Sequence, residues 1–276
     1  MPDPGPRRRG RPRAQPEPAV ATEAPLHSLD RGLALLGTLA AADGLTLTEA
    51  AARGALPLST AHRMLLTLSH RGLVEFDPAL QRWSIGVETF RIGSAFLRRR
   101  KLVDRALPAM QALMADTGET ANLAVAEEDG VVFVSQVESH ETIRAFFRPG
   151  TRALFHASGI GKAILAHRHP AQVAATLKRA GLPRFTPHTC TTIEALAENL
   201  RRIRAEGHAV DDEERNLGMR CVAAAIFDEA GAAIAGLSIS GPTVRVTPER
   251  VAEIGAQVRA AAAQVTHAIA GRVRGD

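Results

Sequence analysis

Thr60, His62 and Arg63 place three polar side chains within about one helical turn. An arginine there can donate a bidentate pair to guanine, and a threonine methyl can touch a thymine methyl. Ser238 and Ser240 are two residues apart in an otherwise apolar run, so on a strand both hydroxyls point to one face and can hold a polar ligand. Cys221, His156 and Asp211 supply the residue types of a nucleophile, a base and an orienter, the parts of a cysteine-dependent hydrolase, but no local activation signature accompanies them. Gly161-Lys162 hints at a phosphate loop, yet His156 stands where that motif has its first glycine and Ala163 where it has Ser or Thr.

The base-reading set needs a helix held outward. Leu29, Leu33, Leu36 and Ala40 fall at helical spacing, with Ser28 expected as cap and Gly44 beyond the end. A second short helix, 46–53, stops at Gly54, and the Ala55-Leu56-Pro57-Leu58 linker enforces a turn. The third helix, with Ser59 expected at its N-cap, buries Ala61, Leu65 and Leu68 and turns Thr60, His62, Arg63 and Thr67 outward. Two strand patterns, 73–76 and 82–85, flank a turn opened by Asp77-Pro78. Three helices and a hairpin in this order make a winged helix-turn-helix, whose third helix enters the major groove. Ser59, Thr60, His62 and Arg63 on that helix, Gln81 and Arg82 on the wing and Arg31 on the first helix form the expected DNA-facing set.

Charge follows the same division. Residues 1–102 hold 15 Lys and Arg against 9 Asp and Glu, a net +6, and the remainder 19 against 20, a net −1. A basic front beside a neutral rear is the distribution expected when one domain neutralises phosphates and the other does something else. Residues 1–25 carry almost no large apolar side chains and are expected to be disordered. Within them Arg8-Arg9-Gly10-Arg11-Pro12-Arg13 resembles an AT-hook, with Arg9 and Arg11 the side chains for an A·T-rich minor groove.

A linker helix, 88–101, then leads into a second domain. A helix through Val103, Leu107, Met110 and Leu113 precedes strand patterns at 122–126, 131–137 and 142–147. Helices at 158–166, 171–180 and 193–206, strands at 220–227 and 232–240, and a last helix from Pro248, with Thr247 as its cap, complete an α/β pattern. The loop His156-Ala157-Ser158-Gly159-Ile160 opens a helix whose free amides favour an anion, and Asp211, Cys221, Ser238 and Ser240 fall on strands or strand ends.

At 276 residues, 45% hydrophobic and 23% charged, the chain has the composition of a soluble protein of about two domains. Two cysteines give no disulfide framework, and no apolar stretch approaches a membrane span, so a cytoplasmic protein without metal or cofactor is expected.

From Ser28 to the last helix the sequence resembles the IclR-type transcriptional regulators. Leu154 to Ala163, Val210 to Glu214 and Ser238 to Pro242 bring it nearest to their glyoxylate-responsive branch, which governs allantoin use and the β-hydroxyaspartate cycle. The resemblance implies an α+β fold: an arm at 1–25, a winged helix-turn-helix at 26–87, a linker helix at 88–101 and a GAF-like effector-binding domain at 102–276. It implies a ligand carboxylate on the Gly159 and Ile160 amides, with Asp211, Cys221, Ser238 and Ser240 around the rest of a two-carbon oxo-acid. Asp211 would repel a bare carboxylate, so it is expected to face the hydroxyls of the aldehyde hydrate. Pyruvate or another small carboxylate is the alternative effector. The expected partner is a pseudo-palindromic duplex operator, bound by a homodimer or a dimer of dimers, a homotetramer. An enzyme is not expected.

Overall fold

The computed structural model describes residues 26–272, so Arg9 and Arg11 of the expected arm lie outside the described residues. The chain divides into two compact units between Ala95 and Phe96.

The first unit contains α1 (His27–Ala40), α2 (Leu47–Arg53), α3 (Leu58–His70) and the hairpin β1 (Val74–Asp77) and β2 (Arg82–Ile85). Leu35, Leu39, Leu45, Ala61, Leu65, Val74 and Trp83 close its core. The inward face of α1 is therefore Leu35 and Leu39, and not the Leu29, Leu33, Leu36 and Ala40 stripe whose spacing marked the helix: Leu29, Leu33 and Ala40 are exposed and Leu36 is half-buried. Helix α2 starts on a reciprocal cap, in which the Thr46 amide donates to the Glu49 carboxylate at 2.8 Å and the Thr46 hydroxyl accepts from the Glu49 amide. In the wing turn the Ala79 and Leu80 amides donate to Asp77 Oδ1 at 2.8 and 3.1 Å. Leu45 and Trp83 exchange backbone hydrogen bonds of 2.9 and 2.7 Å, which tie the segment before α2 to the wing.

Two expected caps are displaced. Ser28 and Ser59 lie inside the first turns of α1 and α3, whose cap positions are Leu26 and Pro57, neither with a side-chain cap bond. The Leu26 and Pro57 carbonyls already accept from the Asp30 and Ala61 amides at 3.0 Å. At Pro57 the ring fixes φ at −58°, and with ψ at 140° the residue has the extended backbone that a cap position needs.

Helix α4 (Val87–Arg100) runs across the boundary between the units and ends at Lys101, whose φ of 48° breaks it from α5 (Leu102–Thr117). The second unit continues with β3 (Thr120–Ala126), β4 (Gly130–Val137) and β5 (Arg152–Leu154). A single 3-10 turn, Phe155–Ala157, leads into α6 (Gly159–Leu165), α7 (Pro170–Ala180) and α8 (Ile193–Glu206). Then come β6 (Ala209–Asp212), β7 (Met219–Phe227), β8 (Ala233–Pro242) and α9 (Pro248–Ala268). Thr247 occupies the cap position of α9 without a side-chain cap bond.

The strands form one sheet in the order β5-β4-β3-β8-β7-β6, antiparallel throughout. Alternation gives it two faces. Leu123, Val222, Leu237 and Ile239 pack with Met110 of α5 and Val258 of α9, while Ala124, Ala223 and Ala225 pack with Ile160 of α6 and Leu200 of α8. This is the α+β architecture expected from the sequence.

The strand expected at 142–147 is not formed. Side chains satisfy its backbone instead: the Ala145 carbonyl accepts from Thr120 Oγ1 at 3.0 Å and the Ile143 carbonyl from Arg245 at 2.7 Å. The edge of β4 goes to β5, whose Leu154 pairs with Gly130. Among the described residues no helix is long and apolar enough to cross a membrane.

Candidate functional site

The strand register builds the floor of a pocket in the second unit. Thr120 of β3, Ser240 of β8, Cys221 of β7 and Asp211 of β6 stand opposite one another in turn, one lateral row across four strands. Two residues along, Asn122 and Ser238 form the next row on the same face, with Gln136 of β4 beyond Asn122. Residues separated by up to 120 positions thus become neighbours because the side-chain period of a strand is two.

The start of α6 lies over this floor. A side-chain carbon at Gly159 would meet Cβ of Ala223 at 3.3 Å and Cβ of Cys221 at 3.5 Å, so the glycine permits the approach. Ser158 caps the helix by accepting from the Gly161 amide at 3.3 Å, and Lys162 N donates to the Ser158 carbonyl. The Gly159 and Ile160 amides are left without an intrahelical acceptor. All six residues expected around an effector, Gly159, Ile160, Asp211, Cys221, Ser238 and Ser240, line one cavity of about 210 Å³. That is below the ~300–1,000 Å³ of drug-sized pockets and suits a very small molecule. Phe133 and Phe147, their rings stacked at 4.6 Å, form an apolar wall, and Arg152 and Arg215 also line the cavity.

A hydrogen-bonded chain fixes the floor. Gln136 donates to Asn122 Oδ1 at 2.8 Å, Asn122 donates to Ser240 Oγ at 3.1 Å and Ser238 Oγ at 3.4 Å, and Ser240 donates to the Cys221 sulfur at 2.9 Å. Sequence reasoning missed Asn122. The available signal was one amide side chain among the Ala, Leu and Val of residues 121–126; the structure buries it fully.

It also missed a buried charge cluster beside the floor. Lys162 Nζ, with no exposed surface, donates to the Val210 carbonyl at 2.6 Å and pairs with Glu214 Oε1. The Glu214 amide donates to Asp211 Oδ1 at 2.9 Å. Burial pushes the Asp211 carboxyl up and that of Glu214 up to about 7, with Lys162 opposing both.

The hydrolase arrangement does not assemble. His156 Nε2 bonds the Pro183 carbonyl at 3.0 Å, and burial lowers its basicity. Burial raises the Cys221 thiol and keeps it protonated, and its hydrogen-bond partner is Ser240.

In the first unit, Ala61 and Leu65 of α3 are buried and Leu68 is half-buried, while Ser59, His62, Arg63 and Thr67 are exposed and Thr60 is half-buried. The Arg63 guanidinium makes no hydrogen bond or ion pair with another described residue and is free for an external acceptor. Arg31 and Gln81 are also exposed. Gln81 holds a φ of 54° and donates to the Pro78 carbonyl at 2.8 Å, and Arg82 donates to the Gly44 carbonyl at 2.8 Å, so these two brace the wing as well as edging it.

Residues 28–78 match the family model of the IclR helix-turn-helix domain, and residues 94–267 that of the bacterial transcriptional regulator IclR C-terminal region. The chain is 50% identical over 267 residues to the HTH-type transcriptional regulator BhcR of Paracoccus denitrificans, covering 96% of each. It is 42% identical over 275 residues to the transcriptional repressor IclR of Escherichia coli, covering 97% of this chain and 98% of that protein. An IclR homolog from Microbacterium hydrocarbonoxydans, solved in complex with 4-hydroxybenzoate, aligns at a TM-score of 0.75 and 30% identity over 88% of this chain and 98% of its own.

Proposed function

This chain belongs to the IclR family of bacterial transcriptional regulators, and on that premise we propose that its pocket takes a small oxo-acid, glyoxylate first, whose binding sets the affinity of the winged helix for an operator. The observation that carries the reading is the row Asp211–Cys221–Ser240 lying under two unpaired helix-start amides in a cavity of about 210 Å³. The Gly159 and Ile160 amides suit the carboxylate. Ser238, Ser240 and Asp211 suit the hydroxyls of the aldehyde hydrate, with the Cys221 thiol beside them.

On DNA, two copies grip a pseudo-palindromic operator as a homodimer or a dimer of dimers. Thr60, His62 and Arg63 read bases, Arg31, Arg82 and the arm with Arg9 and Arg11 touch phosphates or the minor groove, and Ser59 and Gln81 belong to the same DNA-facing set. The regulator works in the cytoplasm on genes of glyoxylate, glycolate or allantoin metabolism. Its response requires that the acid bind one arrangement of the protein more tightly than another, since equal affinity shifts no population.

Titrating the protein with glyoxylate, pyruvate and four-carbon oxo-acids, by calorimetry and by gel shift on its own promoter fragment, tests this reading. Glyoxylate is expected to bind and to change the shift at the lowest concentration. Tighter binding of pyruvate replaces the ligand, and no response to any acid removes the pocket from the account.

A further inference from the structure

Behind the pocket floor, one buried cation serves two buried carboxyl groups. Lys162 is fully enclosed, and Asp211 and Glu214 are 6% and 7% exposed. The Lys162 ammonium takes Glu214 Oε1 and the Val210 carbonyl, while Glu214 Oε2 is buried with no hydrogen-bond partner. Asp211 lines the cavity, and its Oδ1 accepts the Glu214 amide at 2.9 Å, so the two carboxyl groups are linked through three residues of chain.

Of the other charged groups near this pair, Arg152 at the cavity is ion-paired with Glu127 at 3.0 Å. Asp212 on β6 is ion-paired outward with Arg220 at 2.6 Å. Arg215, at the cavity edge, stacks on the Phe185 ring at 4.4 Å. His156 before α6 loses basicity through burial, and the thiols of Cys190 and Cys221 are raised by burial. With all three members of the cluster ionised, the enclosed charge is one negative in excess. A carboxylate entering the cavity adds a second negative charge next to Asp211, where low dielectric strengthens the repulsion. Neutralising one carboxylate of the pair by taking up a proton is the available relief, and the unpartnered Glu214 oxygen is the one whose ionised form is held least well.

We propose that the Asp211–Glu214 pair takes up a proton when a carboxylate effector enters the pocket, so that effector affinity falls as pH rises. The proton comes from solvent and goes to a carboxylate oxygen, with no other bond made or broken. Glu214 acts here as a positioning residue, out of reach of the ligand and acting through Asp211. The inference rests on the pocket being the effector site. Burial has already brought Glu214 to about 7, so a further rise on binding falls in the working range of the cell. The uptake belongs to the pair, whose titration is coupled.

The test is calorimetry of the full chain with glyoxylate at pH 7.5 in phosphate and in imidazole, buffers of different ionisation heat that lack a primary amine. The wild-type enthalpy is expected to differ between buffers by an amount reporting up to about one proton taken up, and Kd to rise up to about tenfold per pH unit above 7. Glu214→Gln is expected to bind with the buffer difference largely lost. A measurable heat that is the same in both buffers, with Kd flat from pH 7 to 8, overturns the inference while leaving the pocket reading intact. The absence of heat with any oxo-acid removes both. The wild-type measurement decides the matter even where Glu214→Gln fails to fold.

Discussion

The side-chain amide of Asn122 lies 3.1 Å from the hydroxyl of Ser240, across two adjacent strands and 118 positions of sequence. This contact orients a hydroxyl that faces the cavity, and Asn122 in turn is held by Gln136. Replacing Asn122 by Ala leaves the Gln136 amide without its acceptor and opens a hole beneath both serines. Stability in urea is expected to fall by about 1–3 kcal/mol.

Ser238→Ala with Ser240→Ala removes both floor hydroxyls at little change in volume. The double variant is expected to hold its operator fragment as the wild type does and to lose the response to glyoxylate. An unchanged dose-response in a gel-shift titration removes the two serines from the site.

Arg63→Ala is expected to cost about 1–3 kcal/mol of specific binding and to relax discrimination at one base pair of each half-site. Uniform weakening on every sequence, with a shallower salt dependence, reassigns the guanidinium to a phosphate. Competition with operator variants mutated one base pair at a time separates the two outcomes.

Glu214 is held at about 7 in the fold, against the ordinary 4.5 of an exposed glutamate. Between those values the folded protein keeps a proton that the unfolded chain has released, so this group's contribution falls as pH rises and levels off above 7. Glu214→Gln lacks that loss. Its stability relative to wild type is expected to rise by about 3 kcal/mol from pH 4.5 to 7, whatever its offset at low pH. Parallel urea midpoints across that range contradict it.

Gly161 passes so close to the preceding turn that an added methyl would sit 2.5 Å from the Phe155 carbonyl oxygen and 2.7 Å from its Cα. Gly161→Ala is expected to destabilise the second unit by about 1–3 kcal/mol and to displace the start of α6. Thermal unfolding and effector calorimetry on the same preparation check the two consequences together.

The winged helix was legible because local signals set it: apolar spacing in α3, Pro57 between helices, and Asp77-Pro78 at the wing; in α1 the spacing marked a helix but not its buried face, which is Leu35 and Leu39 rather than Leu29 and Leu33. The pocket residues were legible as types and as strand positions. Their adjacency was not, because it depends on the order β3-β8-β7-β6, which pairs strands far apart in the chain. Asn122 stayed hidden for that reason, reading as an ordinary strand polar residue, and Glu214 read as one more charge in a run of acids because its partner, Lys162, is 52 positions away on α6. The segment at 142–147 misled in the other direction: its residues suit a strand, but Thr120 and Arg245, from elsewhere in the chain, take its carbonyls.

The floor under α6 is a grid of side chains on paired strands, and the ladder bonds between those strands involve only main-chain atoms. A lineage can therefore exchange a serine, a cysteine or an asparagine on that grid, one square at a time, and leave the scaffold standing. Taste for a different acid is open to such point changes, while any side chain at Gly159, which roofs the grid, would crowd Ala223 at 3.3 Å.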